Sequence, residues 1–149
     1  MYYYLLALIS GAAITTQVGI NVKLLSNLGS PVLASLISFS VGTIGLAIVY
    51  ILAACYGLQP VPTLDAISQT SSWMWTGGLL GAFYIFTTIF CSPKIGFANM
   101  FSLVVAGQIV LSIIFDHFGL LGSPVHLVTP FRLIGVALLI VGVYLIQTN

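Results

Sequence analysis

Gln17, Asn21, Asn99, Gln108, Ser112 and Asp116 are polar side chains set in otherwise oily stretches, so any chemistry on a solute must start from them. Gln108, Ser112 and Asp116 are spaced four apart, and on a helix each turns only about 40° from the last. They make one polar seam along the segment from Lys94 to Leu120. Amides and hydroxyls both donate and accept hydrogen bonds. In hydrocarbon such a seam must face protein or water rather than lipid tails.

The elements that carry these groups follow from composition. The chain has 149 residues, 60% hydrophobic and 3% charged, with a mean hydropathy of +1.20. Soluble domains carry roughly 25% charged residues. A chain of this size cannot hide so much apolar surface from water, so the expected class is an all-α integral membrane protein. The formal charge of +1 gives no basic face for nucleic acid. No polar stretch is long enough to fold alone, and residues 1–149 are expected to form a single transmembrane domain. The start, MYYYLLALIS, lacks the basic region of a signal peptide and reads as retained, its tyrosines suited to headgroup level.

A spanning helix needs about 20 apolar residues, and five stretches qualify, at about 3–25, 31–57, 72–91, 96–118 and 130–146. Between the first two, SNLGSP supplies Gly29 for a helix end, Ser30 as N-cap and Pro31 at the first helical position. CSPK at 91–94 reads as a second tight turn, closed by Gly96. Turns this short predict antiparallel neighbours. The connections at 59–71 and 119–129 are longer and contain proline. LGSP recurs at 121–124 with no further similarity around it, which marks turn chemistry and no internal repeat.

At 1.5 Å per residue, Gln108 lies within roughly 2 Å of the middle of its span and Gln17 about 5 Å from the middle of its own. Asn21 and Asn99 both fall about 10–12 Å from the middle, toward the short-turn face. Matched depths support two readings. One is a midplane cavity that hydrogen-bonds a polar solute. The other is interhelical glue, worth about 0.6–2 kcal/mol per bond. Asp116 is the only acid within a span, and Arg132 lies just inside the fifth. The two read either as an ion pair across helix ends or as a gate.

Small residues mark close helix contacts: Ser35, Ser38, Gly42 and Gly45 on the second span, Gly77 and Gly81 on the third, Gly135 and Gly142 on the fifth. Trp73 and Trp75 suit an interfacial anchor. Cys55 and Cys91 fall near opposite faces, about 30 Å apart, beyond the reach of a disulfide. His117, His126 and the cysteines lack metal-ligand spacing. No nucleophile–base set, carboxylate pair or phosphate loop is visible, so neither an enzyme nor a cofactor is expected. Lys23 and Lys94 lie on the short-turn face and Arg132 on the other, a near balance that permits insertion in both orientations.

The blocks QVGINVKLLSNLGSPVLASLISFSVGT (17–43), WTGGLLGAFYI (75–85), AGQIVLSIIFDHFGLLG (106–122) and FRLIGVALLIVGVYL (131–145) resemble the YdcZ-like five-helix family of the drug/metabolite transporter superfamily. The resemblance implies a bacterial inner-membrane protein forming half of a ten-helix bundle of two inverted halves. It implies a central substrate site and a dimer, either with itself or with a related half-transporter. Five spans suit this, because an odd number makes the two copies antiparallel. The superfamily's four-span multidrug exporters carry a glutamate in the first helix. Gln17 and Asn21 stand in the first helix here, with no acid. A neutral, zwitterionic or amphiphilic solute is therefore expected, with membrane lipid as the surrounding partner. A non-transporting membrane subunit or lipid-binding scaffold is the alternative.

Overall fold

The computed structural model describes residues 2–148. Met1 and Asn149, the ends of the expected domain, lie outside the described residues. Five helices are long and apolar enough to cross a membrane: α1 (Tyr2–Leu28), α2 (Pro31–Cys55), the segment Ser72–Ile95, α5 (Phe97–Phe118) and α6 (Pro130–Thr148). The third begins as a 3₁₀ turn at Ser72–Trp75 and continues as α4 (Thr76–Ile95). A short helix, α3 (Leu64–Ser68), sits in the connection before it, capped by Thr63. No strand forms among the described residues. The chain is an all-α membrane protein, as its composition requires, because lipid leaves backbone groups no partner outside a helix or a closed barrel.

Turn chemistry sets the boundaries. α1 stops where Gly29 takes φ 69°, its N–H donating to the Leu25 carbonyl at 2.8 Å. Ser30 then caps α2, accepting from the Leu33 N–H at 3.2 Å, and Pro31 fills the first helical position. α2 ends two residues short of the expected limit. Leu58 N–H donates to the Ala53 carbonyl at 2.8 Å around Gly57, the double-bonded closure that glycine permits at a helix end.

The CSPK segment departs from expectation. It forms no turn: α4 runs through Cys91, Ser92, Pro93 and Lys94 and breaks at Gly96, φ 85°. Pro93 lacks an N–H and cannot close the bond to Ile89. In hydrocarbon, losing one bond is cheaper than opening a turn that strands several.

The chain divides into two compact units, residues 1–90 and 91–149. In the first, Ala34, Ile85 and Ile89 form a buried core, with Leu24, Leu25, Phe39 and Tyr84 against it. The buried Thr88 hydroxyl donates to the Ile85 carbonyl at 2.9 Å, so this polar atom costs the core little. Small residues at the seam do not all pack. The Phe39 ring stands 3.4 Å from where a Cβ on Gly81 would be, whereas Gly42, Gly77, Gly135 and Gly142 face open space.

In the second unit α5 packs against α6, and the connection between them folds back onto its own ends. Gly119 takes φ 63° to end α5, and Leu121 follows at φ 55°. A Cβ on Gly119 would meet Val125 Cγ2 at 2.9 Å. Gly119→Ala is therefore expected to cost about 1 kcal/mol, read as a lowered unfolding midpoint in detergent.

Candidate functional site

Gln17 and Asn21 share one face of α1, and both turn to α2. The Asn21 amide donates to Ser38 Oγ at 3.0 Å, and the Gln17 amide reaches the same oxygen at 3.5 Å. Asn21 is buried and Gln17 exposed. The shared acceptor follows from the turn: Asn21 is seven residues before Leu28 and Ser38 seven after Pro31, so the two lie at one depth. Ser38 reads in the sequence only as a packing residue. Its equal distance from the turn is the signal that finds it.

Ser38 accepts two amides, which leaves its own hydroxyl hydrogen to donate. A groove of about 500 Å³ opens there, with Gln17, Ser38, Thr43 and Tyr84 as its polar lining and Gly42, Gly78 and Gly81 giving it room. No charged side chain lines it. The arrangement offers neutral donors and acceptors in a low-dielectric setting, where each bond to a solute is strong and each unmet group is costly. Its neutral donors and acceptors suit an uncharged polar group and supply no counter-charge for an ion.

In the second unit the polar seam splits. Asp116 stands in the last turn of α5 and Arg132 in the first turn of α6, with Arg132 Nη1 3.5 Å from Asp116 Oδ2. Each charge is at the helix end whose dipole disfavours it, and pairing offsets both penalties. Asp116 also accepts the Ser123 hydroxyl at 2.7 Å, and its backbone carbonyl accepts the His126 N–H at 2.8 Å. Arg132 donates to the His126 carbonyl at 3.4 Å, while His117 Nδ1 accepts from the Val128 N–H at 3.3 Å. This is a knot that ties the 119–129 connection down. Ser123 thus serves Asp116 in the second LGSP, where Ser30 caps a helix in the first.

Ser112 bonds back to its own helix, to the Ile109 carbonyl at 2.9 Å, and Asn99 donates across the Gly96 break to the Ile95 carbonyl at the end of α4, at 2.9 Å. Gln108 is exposed at mid-span with no hydrogen-bond partner among the described residues. Val105, Ile109, Ile113 and Asp116 line the α5–α6 contact. Gln108 is turned about 100° from Ile109, off that contact. Nine residues separate Asn99 from Gln108, so the two point to opposite sides of α5, about 180° apart. Among the described residues, no group of three or more His, Cys, Asp or Glu could hold a metal ion.

A family model described as "Putative inner membrane exporter, YdcZ" matches residues 2–145. No curated relative and no solved structure matches the chain.

Proposed function

This chain belongs to the YdcZ family of inner membrane exporters, and on that premise we propose that it is a half-size transporter working as an antiparallel dimer. It is a multi-pass transport protein of the inner membrane. The proposed cargo is a small neutral, zwitterionic or amphiphilic metabolite, held by Gln17, Asn21 and Ser38 in the first unit.

One observation carries the dimer: the bare amide of Gln108. An unpaired amide in hydrocarbon costs several kcal/mol, about 4–8 on a scale with no hydrogen-bonding solvent. A second copy, or the solvated cavity it encloses, removes that cost. Gln108 also lies at the one depth that stays fixed when a copy is inverted. A chain carrying Gln108→Cys, with Cys55 and Cys91 replaced by alanine, is expected to cross-link to a second copy under mild oxidant. A C-terminal tag is expected on both faces of the membrane. One-sided insertion with no cross-link would remove the antiparallel homodimer and point to a related partner chain.

The Ser38 bonds favour a second reading, in which the amides only hold α1 to α2 and the protein is a non-transporting subunit or scaffold. Flux through vesicles separates the two.

A further inference from the structure

Beside the polar groove lies a second open groove of about 490 Å³ between α2 and α4, lined by Val32, Leu36, Phe39, Ala82, Phe83 and Phe86 with no polar surface. Its one hydroxyl-bearing neighbour, Ser35, has its donor committed to the Pro31 carbonyl at 2.7 Å. Phe86 stacks on Phe90, ring centres 5.9 Å apart, which stiffens the aromatic wall. Phe39 is the one residue common to both linings, and its ring tip rests over Gly81. Phe39 is half-buried, packed against the core on one side and open to the two grooves on the other.

We infer that the two grooves form one site for an uncharged amphiphile, head on Gln17 and Ser38, tail in the phenylalanine groove, with Phe39 as the wall between them. This rests on the transport reading and names its substrate class. A purely polar cargo has no use for a groove whose exposed lining is wholly apolar. A cation or anion finds no counter-charge in either lining. A tail gains little by leaving lipid for an apolar groove, since both are equally oily. Selectivity therefore lies in the head, and the phenylalanine groove serves as a path. The tail enters from the bilayer side while the head slides past Phe39 to its hydrogen bonds, and neither part meets the wrong medium.

The test uses the full chain in phosphatidylcholine vesicles with two photoreactive probes of equal length. One is a long-chain primary amide with a diazirine in its tail, the other the matching diazirine hydrocarbon. The amide probe is expected to label residues 82–86 at least fivefold more than the hydrocarbon. Gln17→Leu, and independently Thr43→Val, are expected to erase most of that excess while the helical circular dichroism is kept. Equal labelling by both probes in the unaltered chain overturns the inference, since the phenylalanine groove is then only a lipid-facing one. Flux of a short-chain amide without head-dependent labelling leaves transport standing and this site fallen. Head-dependent labelling without flux leaves the site standing and the transport reading fallen.

Discussion

Flux through reconstituted vesicles falls at least tenfold when Gln17 becomes leucine, while helix content and unfolding midpoint stay near their starting values. The two halves of that expectation have different causes. Structurally the change is mild. Leucine is close in size, is at ease in lipid, and forfeits only the longer of the two bonds to Ser38, which keeps Asn21 at 3.0 Å. An interhelical bond of this kind averages about 0.6 kcal/mol. Functionally the change removes the amide from a groove with few polar groups. One solute bond lost where water cannot replace it is worth about 1.4 kcal/mol or more, a factor of ten. Flux unchanged within twofold in a folded protein would take Gln17 out of the site and leave the interhelical-glue reading in possession.

The second large effect is on stability. Asp116→Ala is expected to cost about 2–3 kcal/mol, measured as the unfolding midpoint in detergent or bicelles. The change removes the acceptor for both Arg132 and Ser123 and leaves a cation in the first turn of α6, at the positive end of the helix dipole. Both side chains are about one-third exposed, 36% for Arg132 and 31% for Asp116, so solvent screens part of the attraction. For that reason the single change is expected to exceed the pair's own coupling. Adding Arg132→Ala to Asp116→Ala should recover part of the loss, because the unpaired cation goes with it. Additive losses in the double variant would show that the two side chains act independently.

Five spanning helices are legible because apolar runs broken by Gly, Ser and Pro leave few alternatives. The Asp116–Arg132 pair is legible because the only acid within a span and the only arginine stand at the facing ends of consecutive spans. Pro93 shows where reading fails. Ser-Pro carries the same local signal in a loop and in a helix, and the packing around it, where Ser92 is buried, goes with the helix that persists. The polar site is half legible. Sequence spacing gives depth along a span, so Gln17, Asn21 and Gln108 are placed at their levels. It gives direction only relative to the same helix. Asn99 and Gln108 look opposite ways around α5, which depth along the span does not reveal. The phenylalanine groove is not legible, since nothing in spacing sets Phe39, Phe83 and Phe86 apart from the other apolar residues of their spans.

Leu121 holds a left-handed backbone, φ 55°, in the middle of the tied connection. A leucine there costs about 1–2 kcal/mol relative to a right-handed residue. The bonds around it offset that cost: the Ser123 hydroxyl on the Asp116 carboxylate, the His126 N–H on the Asp116 carbonyl and the Val128 N–H on His117. The carboxylate that balances Arg132 is therefore also one of the anchors that keep a strained backbone in place.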